Sequence, residues 1–264
     1  MSMSSEQKKY IHKLRNQKLF VIFMQILFVI IFLGLWEYCA NEKIINPFIF
    51  SSPSRILECI VTTYQSGDLI KHIFTTFYET ILAFVIGISL GFFIAVLLYE
   101  FPIVAKIVEP FLTMLNSLPK VALGPIIIIW TGANTKSIIV MALLINLIVS
   151  ILTIYNGFLG ADANRLKLMK TFHASKLQTL FYLIIPSSKN TIVSSLKLNI
   201  SMTLIGVIMG EFLVSKKGIG YLIIYGTQVF NLNIVMSGII ILVIMSFLIY
   251  EFIQFIEKRI VSKN

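Results

Sequence analysis

The sequence predicts an all-α, polytopic membrane protein with six transmembrane helices. Three observations carry this. Hydrophobic residues make up 57% of the 264 and charged residues only 13%, whereas soluble domains carry about 45–50% and about 25%. Mean hydropathy is +0.90. The apolar residues also come in runs near the roughly 20 residues that cross a bilayer core. Such a composition excludes a disordered chain, a disulfide-stapled secreted module and an ordinary cytosolic enzyme.

Residues 1–18 hold Lys8, Lys9, Lys13, Arg15 and Lys18 ahead of an apolar run from Leu19 to about Ala40. The run is too long for a signal-peptide core and no small-residue cleavage site follows, so it reads as an uncleaved first span. It has almost no small residues, which points to the lipid-facing periphery. Residues 41–70 carry turn signals: Asn46-Pro47, Ser51-Ser52-Pro53-Ser54 and Ser66-Gly67-Asp68. The second span runs from about Ile73 to Tyr99. A third region, about Ile103–Trp130, is interrupted by Pro110, Pro119 and Pro125. The fourth span covers about Ser137–Phe158, the fifth about Asn190–Val214 and the sixth about Ile234–Ile256. In units, residues 1–71 form a basic tail, first span and external loop. Residues 72–260 form the core, with a loop at 160–189, and residues 261–264 a tail.

The net charge of +10 reads as topology. Six spans put both termini on one side, and 15 of the 22 basic residues then lie inside. The positive-inside rule makes that side cytoplasmic, with the lipid bilayer as the first partner. No basic helix with interleaved aromatics supports nucleic-acid binding. Cys39 and Cys59 read as free thiols, and the three histidines, His12, His72 and His173, are scattered. No cofactor, metal or catalytic residue is expected.

Two spans carry small residues at four-residue spacing: Ala83, Gly87, Gly91 and Ala95 in the second, Gly206 and Gly210 in the fifth. Such stripes let helix backbones approach closely and put both spans in the packed centre. Ionisable residues inside spans are functional candidates because burying them is costly. Glu79, near the outer end of the second span, reads as a gate residue or as a snorkelling, interfacial one, and Glu211, near the outer end of the fifth, as a structural or gating group. Lys120 sits between Pro119 and Pro125, as a partner for an anionic solute or as a lysine reaching toward headgroups. Polar residues also mark helix sides: Asn116 with Ser117, Asn146 with Ser150, and Ser195, Asn199 and Thr203. They line a solute path or bond between helices. Lys216-Lys217-Gly218-Ile219-Gly220 forms a tight outer loop.

The loop 160–189 is basic yet patterned. Leu166, Met169 and Phe172, then Leu177, Leu180, Phe181 and Ile184, recur at helical spacing on either side of His173-Ala174. This predicts two short amphipathic helices that dock on a partner protein or lie along the membrane. The spacing resembles the Glu-Ala-Ala loop of bacterial ABC importer permeases. Lys167-Leu168-Met169 stand at the triplet, between Arg165 and Phe172. His173 stands at its Gly, followed by Ala174, and Leu183 and Ile185-Pro186 close the pattern.

Residues about 72–260 resemble the permeases of nitrate, sulfonate, taurine and pyrimidine-precursor importers. The likeness rests on Thr76–Gly91, Glu109-Pro110, Leu118–Pro125, Ile129–Gly132, Gly210–Leu213 and Lys217–Leu222. It implies a type I (MetI-like) importer permease in the bacterial inner membrane, without an ATPase site of its own. The chain indeed has no G-x-x-x-x-G-K-[ST] phosphate loop. The implied partners are two cytosolic ATPase subunits on the 160–189 loops, an external solute-binding protein and a second permease copy, most simply a homodimer. The implied substrate is a small anion such as a sulfonate, taurine or nitrate, with pyrimidine-like or riboflavin-like vitamin precursors as the alternative. Lys167 reverses the family's acidic charge where the loop meets the ATPase, so either that subunit carries a compensating acid or the contact is weak. His173 replaces a residue that adopts positive φ cheaply.

Overall fold

The computed structural model describes residues 5–261, and the side chains of 11–259. Lys8 and Lys9 lie outside the described side chains, and the tail beyond Val261 lies outside the description altogether. Thirteen α-helices in chain order account for nearly all of the described residues.

Helix α1, Ser5–Asn41, has 37 residues, about 55 Å at helical rise. From Ile11 to Leu35 its apolar side chains are exposed, apart from half-buried Leu27, as expected of a lipid-facing helix. Its far end is tied down by Glu37, which accepts the Ser54 backbone N–H at 2.9 Å and its hydroxyl at 2.7 Å. The chain then turns through α2, Pro47–Phe50, and α3, Pro53–Gln65. Each has proline in its first turn and a side-chain cap, Asn46 and Ser52 respectively.

Helix α4, Asp68–Glu100, is the second span. Helix α5, Pro102–Ser117, runs back toward the far end. A 3₁₀ turn at Lys120–Leu123 and α6, Gly124–Thr131, leave α5 at 88°. Proline does different work at three places here. Pro110 is carried inside α5, whereas the chain leaves helical geometry at Leu118-Pro119, where a residue preceding proline avoids the α region. Pro125 opens α6, where its missing N–H costs nothing. Five continuous helices are long and apolar enough to cross a membrane, and the α5–α6 pair reaches that length and apolarity only when taken together across its bend, as a broken span or a re-entrant loop.

Helix α7, Thr135–Leu159, is capped by Asn134. The loop at 160–189 holds α8, Ala163–Thr171, α9, Lys176–Thr179, a π turn at Leu180–Ile184, and α10, Ile185–Ser187. The π turn precedes Pro186, which cannot donate back to the chain, and the Ile185 N–H reaches the Leu180 carbonyl instead. Helices α11, Lys189–Val214, α12, Ile219–Gln228, and α13, Leu232–Val261, complete the chain.

The packed centre is α7, held between α4 and α11. Both small-residue stripes close on it. A Cβ on Gly87 would overlap the Asn146 carboxamide, and one on Gly91 would lie 2.5 Å from Ser150 Cβ. From the other side, a Cβ on Gly206 would lie 2.5 Å from Ala142 Cα, and one on Gly210 2.9 Å from Ile138 Cα. The second and fifth spans are therefore central, but the fourth lies between them. At the end carrying the 160–189 loop, Phe158 packs edge-on against Phe92 and Tyr99, beside buried Leu180 and Ile184. Cys39 and Cys59 are free thiols.

Candidate functional site

The loop 160–189 is rooted on one side and open on the other. Leu180 and Ile184 are fully buried against Ile154, Tyr155 and Phe158 of α7. Leu168, Phe172, Leu177, Phe181 and Tyr182 point outward, exposed by 54 to 77%. Apolar surface of this kind, rimmed by exposed Arg165, Lys167 and Lys170, marks an interaction face. Met169, Ala174, Leu183 and Ile185 are half-buried at its base, and Pro186 is exposed.

Local bonds fix the shape of this loop. Asp162 caps α8 by accepting the backbone N–H groups of Asn164 at 2.8 Å and Arg165 at 3.0 Å. Those two bonds hold its carboxyl below the usual aspartate range. At the other end the Ala174 N–H bonds the Met169 carbonyl and the His173 N–H bonds the Lys170 carbonyl, at 3.0 and 2.9 Å. This paired pattern closes the helix with its C′ residue in the left-handed region, and His173 has φ +54°. Ser175 and Gln178 then form a reciprocal capping box for α9.

The structure separates the polar candidates into three groups. Asn146, Asn199 and Thr203 are fully buried in the seam between α7 and α11. The Asn146 amide donates to the Thr203 hydroxyl at 2.6 Å, and the Ser150 hydroxyl donates to Asn199 Oδ1 at 2.9 Å. This is the geometry of bonding between helices. Asn116 and Lys120 form the second group. They sit across the α5–α6 bend, Asn116 exposed and Lys120 half-buried, with Lys120 Nζ donating to Asn116 Oδ1 at 3.0 Å.

The third group lies at the end opposite the loop. Glu211 is buried. It accepts the Thr76 hydroxyl at 2.6 Å and the Gly220 N–H at 2.6 Å. The Ile219 N–H donates to the Thr76 hydroxyl at 2.8 Å, and the Gly218 N–H donates to His72 Nδ1 at 3.0 Å. The first amides of α12 are thus satisfied by side chains of α4 and α11. Gly218 has φ +109°, and a Cβ there would overlap the Glu211 carboxylate. Glu79, 1% exposed, faces Glu211 and Thr135, and its Oε2 has no hydrogen-bond partner.

Sequence reasoning missed the roles of Thr76 and His72. Thr76 lies three residues before Glu79 on the same helical face, a spacing that could have pointed to it. The string Gly87-Ile88-Ser89-Leu90-Gly91 also spells a G-x-S-x-G nucleophile pattern. It lies inside the continuous helix α4 with Ser89 exposed, not on a strand-to-helix turn, and works as packing surface.

Residues 87–262 match the family described as binding-protein-dependent transport system inner membrane component. A Bacillus subtilis (strain 168) permease, SsuC, named for aliphatic sulfonates transport, is 24% identical over 232 residues, covering 88% of this chain and 84% of that one. The taurine transport system permease protein TauC of Escherichia coli (strain K12) is 20% identical over 235 residues, covering 87% and 86%. The formylaminopyrimidine transport permease protein ThiX of Halalkalibacterium halodurans is 26% identical over 200 residues, covering 74% and 77%. Among solved structures, an inward-facing MetNI methionine ABC transporter matches with a TM-score of 0.64 at 18% identity, over 75% of this chain and 97% of that one.

Proposed function

The chain belongs to the binding-protein-dependent transport system inner membrane component family, and from that premise we propose that two copies of it form the path of an importer for small organic anions of the sulfonate class. The chain is the multi-pass permease of an ABC importer, and its family implies ATPase and binding-protein partners. In the reading proposed here, both termini and the 160–189 loop are cytoplasmic. The ATPase subunit takes the outward face of that loop, and a solute-binding protein delivers the anion at the opposite end.

One observation carries the coupling assignment: the loop is anchored in the helix core by buried Leu180 and Ile184 while Leu168, Phe172 and Phe181 stand uncovered. A rooted lever with an apolar docking face transmits motion; a floppy linker does not. ATP binding shifts the permease between inward and outward states only to the extent that the ATPase grips one state better. For the path itself, the Asn116–Lys120 pair at the 88° bend is the proposed contact for the anion. Irregular backbone at membrane depth is tolerated where it lines a cavity or a protein contact. The names of SsuC and TauC support an anionic, sulfonate-like solute.

The test is ATP-dependent uptake of a radiolabelled alkanesulfonate by the permease co-expressed with the ATPase and binding protein encoded beside it. Lys120→Gln should lower uptake while membrane insertion stays normal. Uptake of a pyrimidine but no sulfonate would overturn the substrate assignment.

A further inference from the structure

A cavity of about 340 Å³ opens where α4 and α7 end beside the loop at 160–189. It is small-molecule sized. Glu100, the last residue of α4, lines it together with Lys170 of α8 and Lys176 of α9. These opposite charges share one cavity without pairing: among the described residues the ion pairs are Lys71–Asp68 and Lys197–Glu257. Glu100 Oε1 is buried and has no hydrogen-bond partner. A buried carboxylate oxygen without a donor is costly, and two lysines across the same space favour an anion. One kind of occupant matches a wall carrying a carboxylate and two lysines: a zwitterion with a hydrogen-bonding cation at one end and an anionic group at the other.

The position of the cavity selects the source. It lies at the ends of two membrane-spanning helices, with Tyr99 and Tyr155 in its wall. Phenols are favoured at the membrane–water boundary, where headgroups sit. Pro102 is also in the wall, and its neighbours Phe101 and Ile103 are 58% and 77% exposed, an apolar surface for acyl chains.

We propose that this cavity binds the headgroup of an ethanolamine phospholipid, its ammonium on Glu100 and its phosphate on Lys170 and Lys176. A lipid seated there touches both the span ends and the two short helices of the loop. It braces one against the other. The binding claim does not depend on the transport reading.

Native mass spectrometry of the delipidated full-length protein, offered equal amounts of phosphatidylethanolamine, phosphatidylcholine and phosphatidylglycerol, reads the preference. Phosphatidylcholine keeps the phosphate but has no N–H to donate, and phosphatidylglycerol has no cation. The expected result is about tenfold greater retention of phosphatidylethanolamine, the scale of one charge-assisted hydrogen bond. Glu100→Gln should erase that preference, and Lys170→Gln, on an exposed helix, should weaken all three lipids. Equal retention of the three lipids by the unaltered protein, or an undiminished preference in Glu100→Gln, would overturn the proposal. Binding of free O-phosphoethanolamine with the same Glu100 dependence, without retention of the lipid, would overturn its lipid source.

Discussion

Gly220 donates its backbone N–H to the Glu211 carboxylate at 2.6 Å, and the other oxygen of that carboxylate accepts the Thr76 hydroxyl at the same distance. One buried side chain thus ties the start of α12 to α4 and α11. Glu211→Ala leaves the Gly220 amide buried without an acceptor, at about 1–3 kcal/mol, and the Thr76 hydroxyl with only the His72 carbonyl at 3.3 Å. Glu211→Gln keeps one acceptor oxygen and should cost less. Gly220→Ala places a Cβ 2.8 Å from Glu211 Cβ and should lower stability despite leaving every polar group in place. Thermal unfolding of the purified protein ranks the three.

Gly87 and Asn146 form a second coupled pair, because a Cβ at 87 meets the Asn146 carboxamide. Gly87→Ala should destabilise by about 1–3 kcal/mol through overpacking. Asn146→Ala loses the bond to Thr203 but opens that space. The double variant should therefore be less destabilised than the sum of the singles, by about 1 kcal/mol, in a double-mutant cycle. Simple additivity would contradict the contact.

His173 occupies the C′ position of α8 at φ +54°. Non-glycine residues pay roughly 1–2 kcal/mol in this region, less for His, and glycine loses more chain entropy on folding. His173→Gly should stabilise the loop by a few tenths to about 1 kcal/mol, and His173→Val should destabilise it. Hydrogen exchange of the Ala174 amide, which bonds Met169 at 3.0 Å, reads the closure directly.

Asp162 caps α8 as a carboxylate whose affinity for protons is lowered by the Arg165 and Asn164 amides. With the folded-state value below the unfolded one, the cap's contribution is full above the ordinary aspartate range. It is lost as pH falls through the lowered value. At neutral pH, Asp162→Ala should speed exchange of the Asn164 and Arg165 amides, whereas Asp162→Asn should retain most of their protection. Equal exchange in both variants would count against the cap.

The spans were legible because bilayer thickness forces long apolar runs, and the proline-rich third region announced its break. The two loop helices were legible from the spacing of Leu166, Phe172, Leu180 and Ile184. The central place of α7 was not, since its partners mark the contact by lacking side chains while α7 itself carries ordinary Asn146, Ser150 and Ala142. Periodicity also cannot tell a polar stripe that lines water from one that bonds a neighbour. Only the pairing of Asn146 with Thr203 and of Ser150 with Asn199 distinguishes them. The Glu211 node joins residues 135 positions apart, and no local pattern in a single sequence encodes that separation.

The role of the 160–189 loop is tested most directly by ATP-driven uptake into proteoliposomes containing the permease, its ATPase and its binding protein. The informative variant is Leu168→Asp with Phe172→Asp. Both side chains point outward, 54% and 70% exposed, so the change alters the docking face and not the core. The expected result is a normally inserted permease that no longer co-purifies with the ATPase and whose uptake falls to the level without ATP. Undiminished co-purification and uptake by this variant would contradict the coupling role.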